Sequence, residues 1–287
     1  MKINFLKQRS LGIAGLALLR NLLIGEDSVA KSIFTEISNI TNDLNDGVKL
    51  KASNITKYGV NKGYDVWAET YDSMPNLLIN IEEPKVKSII KALPKGKVLD
   101  AGCGTGRYWN FLNSYGYSVI GVDQSKLMLE KAKAKLNKVK LIRANLTNLP
   151  IKPKSIDIVL CSLALTHFKS LDKVIPELYK TLRPGGYMVL SDIHPVLVSI
   201  GAHADFKDKF GKTGYIINFT HWPSSYIKQF NLLGLKIIQC LEPSMESKEI
   251  KLMQSGLSLN NKTVVTAFNK LPVSLIWLLR RPKSQLK

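Results

Sequence analysis

A chain of 287 residues has room for one large domain, or for one domain with an appendage. Its 41 Lys and Arg against 22 Asp and Glu leave a net charge of +19, which favours anionic partners, yet the excess is spread along the chain instead of forming one stripe. The 3 cysteines are far apart and show no CxxC or Cys/His spacing, and no run approaches the ~20 apolar residues of a membrane span; this argues against a disulfide framework, a metal site and a transmembrane segment, and suits a cytoplasmic protein.

Taken in chain order, Lys2, Lys7 and Arg9 precede an apolar run from Leu11 to Leu19 that faintly resembles a secretory leader. The run is short, Arg20 interrupts it and no small-residue cleavage site follows, so it reads as a helix of the folded protein. The helical pattern runs from Ser10 to Leu44 with a break at Gly25-Glu26-Asp27, where Asp27 or Ser28 can cap a second helix. Asn42 to Asn61, rich in Asn, Asp, Gly, Ser and Lys, reads as a linker or loop. Residues 1–60 are therefore expected to form a helical extension with its linker, and residues 61–287 the main domain.

From about Gly63 onward, helix and strand alternate. Short apolar runs ended by turn signals predict strands at Lys97–Asp100, Ser118–Val122, Lys140–Arg143, Ile156–Ser162, Tyr187–Asp192, Leu235–Glu242 and Leu275–Leu279. Helical segments fall near Tyr108–Ser114, Ser125–Leu136 and Leu171–Thr181. Such a series implies an α/β, doubly wound parallel sheet covered on both faces. The last two strands have no strong helical signal between them and are expected to close the sheet as an antiparallel pair. Pro243 to Asn261 is expected to form a helical flap. The densest positive cluster, Lys126, Lys131, Lys133, Lys135, Lys138 and Lys140, reads as a solvated face and not as a specific nucleic-acid site.

The first main-domain strand runs into Asp100-Ala101-Gly102-Cys103-Gly104-Thr105-Gly106-Arg107. Glycines at alternate positions allow a tight turn and close backbone approach to a ligand, and the following helix opens with free N–H groups. A dinucleotide loop needs G-x-G-x-x-G, and its third glycine is replaced by Arg107 or Trp109 in the two possible frames; a P-loop needs a Gly-Lys-Ser/Thr that is absent. A carboxylate two positions before G-x-G-x-G suits a ligand bearing an ammonium group and repels a pyrophosphate. Asp123, at the end of the neighbouring strand, can accept hydrogen bonds from two ribose hydroxyls.

On these residues, 63–287 resemble the class I S-adenosylmethionine-dependent methyltransferases, in particular the small-molecule branch of quinone and natural-product methyltransferases. Asn145 in Ala144–Pro150 takes the place of an Asp that contacts the adenine amine in that family, Asp157–Ser162 resembles its fourth strand, and Leu182–Tyr187 its signature turn before the fifth. The resemblance implies a Rossmann-like, seven-stranded, mostly parallel sheet with an antiparallel last strand. It implies S-adenosylmethionine as cofactor, held by Asp100, Gly102, Cys103, Gly104, Gly106, Asp123, Gln124, Asn145, Leu146 and Cys161.

Methyl transfer from a sulfonium is an in-line displacement, so the protein mainly positions donor and acceptor, and a base helps only when the acceptor must lose a proton. Segments expected on the acceptor side offer Tyr64, Trp67, Tyr71 and Trp222 as contacts, although the helical spacing of Tyr64, Trp67 and Tyr71 also fits core packing. His194 and His221 are the foremost candidates for positioning or proton removal, with His167 behind them. The expected reaction is O-methylation of a small molecule. An RNA methyltransferase and a non-catalytic, cofactor-binding regulator are the rival readings, and nothing in the sequence fixes the oligomeric state.

Overall fold

The computed structural model describes residues 5–23, 25–42, 55–135, 139–246, 249–250 and 257–283. The centre of the expected linker, Lys138 of the charge cluster and residues 247–248 and 251–256 of the expected flap lie outside them. The chain forms two compact units, Met1–Asn54 with Ser244–Pro272, and Ile55–Pro243 with Val273–Lys287. The first unit thus takes in a stretch from between the last two strands as well as the N-terminal residues.

In the first unit, helix α1 (Phe5–Asn21) packs against α2 (Asp27–Asn42) and against a helix near its C-terminal boundary, Asn261–Phe268. Ala14 and Ala17 of α1 and Ile33 of α2 are fully buried there. Asp27 stands in the first turn of α2, where its charge complements the helix dipole. Asn260 caps the third helix by accepting from the Thr263 N–H at 2.9 Å.

The second unit opens with β1 (Thr56–Tyr58), α3 (Val60–Trp67) and α4 (Leu77–Lys91). Then follow β2 (Lys97–Ala101), α5 (Trp109–Ser114), β3 (Ser118–Asp123), α6 (Lys126–Lys135), β4 (Lys140–Arg143) and β5 (Ile156–Ser162). After a 3₁₀ turn at Leu165–His167 come α7 (Val174–Thr181), β6 (Leu182–Ile193) and α8 (Pro195–Ser199). The unit ends with β7 (Ala204–Lys207), β8 (Thr213–Ile216), α9 (Pro223–Leu232), β9 (Lys236–Leu241) and β10 (Ser274–Arg280), the helix Asn261–Phe268 being α10.

The main sheet has seven strands in the order β4-β3-β2-β5-β6-β10-β9. The first five are parallel; β10, last in the chain, lies between β6 and β9 and is antiparallel to both. Alternation sends Leu99, Val159 and Cys161 to one face, where Leu178 of α7 and Phe230 of α9 cover them. Val98, Ile158 and Leu160 go to the other, under Ile90 of α4 and Trp109 and Leu112 of α5. Burial on both faces explains why these strands read as continuous apolar runs.

A second, three-stranded sheet, β1-β8-β7, has no counterpart in the sequence reading. Its strands are only three or four residues long, and pairing β1 with β8 joins Thr56 to Gly214. Trp67 of α3 stacks on Phe206 of β7 at 5.2 Å, fastening α3 to this sheet.

Candidate active site

The turn after β2 is held by the neighbouring strand: the Gly102 and Cys103 N–H groups both donate to the Val122 carbonyl, at 2.7 and 3.0 Å. Gly102 has φ +76°, and a Cβ there would stand 2.8 Å from the Ala164 Cβ. Gly104 has φ +53°, but a Cβ on it would meet nothing within 4 Å, because this glycine borders a cleft. Both requirements favour glycine, one for packing and one for space beside the backbone.

Asp123, at the end of β3, ties the turn together. One carboxylate oxygen accepts from the Gly104 N–H and the other from the Ser125 N–H, each at 2.8 Å. Burial raises its pKa, and these backbone donors pull the other way. Each oxygen keeps a further lone pair for a ligand hydroxyl. The segment from α3 onward presses on the same turn, since Ser125 Oγ donates to Asp65 at 2.6 Å and Thr105 Oγ1 to Asp72 at 2.7 Å.

The cleft encloses about 690 Å³, part of it open to solvent, at the C-terminal ends of the parallel strands. It gathers Gly102, Cys103, Gly104, Asp123, Gln124 and Leu146 with Tyr64, Tyr71 and His167. Sequence reading missed Arg107, Ser162, Leu163 and Phe168 on its wall. The signal for Arg107 was its position directly after the last glycine of the turn. Leu163 adopts φ +56°, rare for a side-chain-bearing residue, with its N–H on the Ser191 carbonyl at 2.8 Å.

Behind Arg107 lies a buried polar network that had no sequence signature. Glu82, inside α4 and 0 % exposed, accepts from Arg107 Nη1 at 2.8 Å, from the Tyr108 hydroxyl, and from the Ser162 and Ser191 hydroxyls. Arg107 Nη2 donates to Ser162 Oγ at 2.7 Å. Burial opposes the guanidinium charge, but Tyr108 and Glu82 outweigh it, so Arg107 stays charged. It is a fixed cation on the cleft wall.

Several expected site residues stand away from the cleft lining. Asp100 is 2 % exposed and accepts from Trp109 Nε1 at 2.8 Å beneath the turn; burial raises its pKa to about 7. Gly106 closes the turn through its N–H on the Cys103 carbonyl at 2.9 Å. Asn145 was expected to offer its carbonyl to an amine, but that oxygen already takes the Thr147 N–H and hydroxyl, at 3.0 and 2.9 Å, in a local turn. Cys161 is fully buried in the sheet core. Trp67 packs against Tyr64, Tyr71 and Phe206, and Trp222 is 47 % exposed at the start of α9.

The histidines order themselves differently from the sequence expectation. His194 caps α8, its Nδ1 accepting from the Val196 N–H at 3.3 Å and its Nε2 facing Glu242 at 3.1 Å. His221 Nε2 donates to the Phe168 carbonyl at 2.8 Å, so it braces the cleft wall from behind. His167 alone of these three lines the cleft. Its Nε2 lies 2.7 Å from the Tyr64 hydroxyl and its Nδ1 3.1 Å from the Ile217 carbonyl. Burial pushes its pKa down and those of Tyr64 and Tyr71 up. The 3₁₀ turn after β5 puts it there, a placement that spacing alone does not disclose.

Comparison with known proteins agrees with this geometry. Residues 99–190 match the family model described as "Methyltransferase domain". The malonyl-[acyl-carrier protein] O-methyltransferase of Pectobacterium atrosepticum is 29 % identical over 140 residues, 49 % of this chain and 55 % of that protein. The chain thus spans about half the length of that curated relative. An S-adenosylmethionine-dependent methyltransferase from Mesorhizobium loti shares the fold with a TM-score of 0.55 at 22 % identity, over 72 % of this chain and all of that one (100 %). A DhpI–SAH complex gives a TM-score of 0.55 at 18 % identity, over 78 % of this chain and 95 % of that one. Residues 99–190 match a methyltransferase domain, and the chain shares the fold of S-adenosylmethionine-dependent methyltransferases.

Proposed function

We propose that the chain transfers a methyl group from S-adenosylmethionine to a hydroxyl of a small-molecule acceptor. The observation that carries this reading is the open space at Gly104 beside the Asp123 carboxylate, a cradle that a Cβ would fill. The cofactor supplies a methyl group already activated on a sulfonium. Asp123 is suited to accept from ribose hydroxyls, with Gln124 and Leu146 beside it, and Gly102 and Cys103 contribute backbone. Asp100 braces the turn from beneath through its bond with Trp109, and Arg107 offers a fixed cation to a carboxylate. Tyr64, Tyr71 and Phe168 form an aromatic wall for the acceptor, and His167 is the histidine best placed to act on it.

The name of the Pectobacterium relative favours a second reading with the same chemistry, in which the acceptor is the carboxyl of an acyl chain on a carrier protein. No described helix is long and apolar enough to cross a membrane, and we place the activity in the cytoplasm. Incubation with methyl-labelled S-adenosylmethionine, total metabolite extract, total RNA and acyl-carrier protein in separate reactions tests these readings. Label in the metabolite fraction is expected. Label in RNA alone overturns the small-molecule reading, and no label anywhere overturns methyl transfer.

A further inference from the structure

We propose that Tyr64 and His167 form a proton relay on the acceptor wall, so that the acceptor is a neutral hydroxyl and not a carboxylate; this rests on the methyl-transfer reading. The direction of the relay follows from hydrogen-bond roles. The Ile217 carbonyl, 3.1 Å from Nδ1, can only accept, so Nδ1 carries the ring proton. In the neutral imidazole Nε2 is then bare and accepts from the Tyr64 hydroxyl at 2.7 Å. Both side chains line the cleft. The phenol oxygen, having donated its own proton inward, keeps lone pairs with which to receive another.

The step balances. The acceptor oxygen bonds to the methyl carbon as the carbon–sulfur bond breaks toward sulfur. The acceptor proton passes to Tyr64 Oη, and the phenol proton passes to His167 Nε2. The positive charge that leaves sulfur reappears on the imidazolium, whose Nδ1–H already points at a carbonyl. A carboxylate acceptor has no proton to give and would call for a free cation. Arg107 is the one cationic side chain among the described residues lining the cleft, and the methyl-transfer reading gives it to the carboxylate of the cofactor, which leaves none for an acceptor carboxylate.

The ionisable groups facing the pair are Tyr71, Asp123, Asp192 and Arg107. His221 and His203 lie on the adjoining loops, each bonded to backbone, at the Phe168 carbonyl and the Asn218 N–H. Burial keeps His167 neutral at neutral pH, so turnover should be flat there and fall only below the ordinary histidine range, where protonation fills Nε2.

Nitrogen-15 NMR of the histidine rings, with and without S-adenosylhomocysteine, tests the relay independently of turnover. The expected result is the Nδ1-protonated tautomer of His167, with an Nε2 resonance that moves in Tyr64→Phe. An Nε2-protonated ring, or a resonance indifferent to Tyr64→Phe, overturns the proposal. On a hydroxylated acceptor from the extract assay, Tyr64→Phe should lower kcat by about 100-fold with S-adenosylhomocysteine affinity unchanged, and His167→Gln should also abolish the acid limb of the pH profile. Full turnover in both variants sinks the relay and leaves methyl transfer standing. Failure of S-adenosylhomocysteine to bind sinks methyl transfer, while the tautomer still judges the pair.

Discussion

The two walls of the cleft are built on opposite plans. The wall made by Gly102–Gly106 and Asp123 consists of turns at the ends of two adjacent parallel strands, and backbone groups carry its geometry. The facing wall joins Tyr64 of α3, His167 of a 3₁₀ turn and the Ile217 carbonyl beyond β8, which meet only once both sheets have formed. A backbone wall suits one unchanging ligand. A wall of side chains can be refitted to another acceptor without disturbing the turn.

Substitutions can break this contrast. The largest effect is expected from Gly104→Val, which fills the cradle and forces a branched side chain into a left-handed backbone conformation. Calorimetry should detect no S-adenosylhomocysteine binding in a protein whose circular dichroism is still that of the folded chain. A folded variant with normal affinity would show that the backbone wall does not hold the cofactor. Next, Asp123→Ala should weaken cofactor binding by roughly 2–4 kcal/mol, because charge-assisted bonds to the ligand and the anchor of the Gly104 N–H are both lost. A change within experimental error would move the ribose elsewhere.

Asp192, buried near the end of β6 and outside the cleft lining, sharpens the comparison from behind the side-chain wall. It is 2 % exposed, accepts from the Tyr226 hydroxyl at 3.2 Å, and burial raises its pKa to about 7. The folded state therefore holds this proton more tightly than the unfolded chain, whose Asp titrates near 3.8. Its contribution to stability is full below about pH 4 and is lost as pH rises through about 7. Thermal melts of Asp192→Asn against pH should be flatter over that window than those of the parent, and parallel curves would count against a buried, protonated Asp192. The smallest effect is expected at His194, which caps α8 outside the cleft. His194→Ala should cost about 1 kcal/mol of stability and leave the pH profile of turnover unaltered. A vanished histidine limb would return His194 to the chemistry.

The same contrast explains what could be read from the sequence. The central strands of the main sheet were legible because burial on both faces leaves uninterrupted apolar runs such as Ile158–Cys161, and the glycine turn because its constraints fall within a few residues. Asp123 was legible as the end of the next strand. Glu82 was not, because an acidic residue in a helix reads as surface until Arg107, Tyr108, Ser162 and Ser191 converge on it. His167 ranked behind His194 and His221 because the three share similar turn contexts, and only the fold decides which ring meets Tyr64. Asn145 carried the right residue type, but a local turn claims its carbonyl, and spacing carries no record of that competition.

The central claim, that the cleft beside Gly104 and Asp123 is an S-adenosylmethionine site, is tested most directly by titration calorimetry of the intact chain with S-adenosylhomocysteine and, separately, with NAD. The account predicts saturable binding of S-adenosylhomocysteine that S-adenosylmethionine displaces, and no heat of binding from NAD. Saturable NAD binding with none for S-adenosylhomocysteine would contradict it.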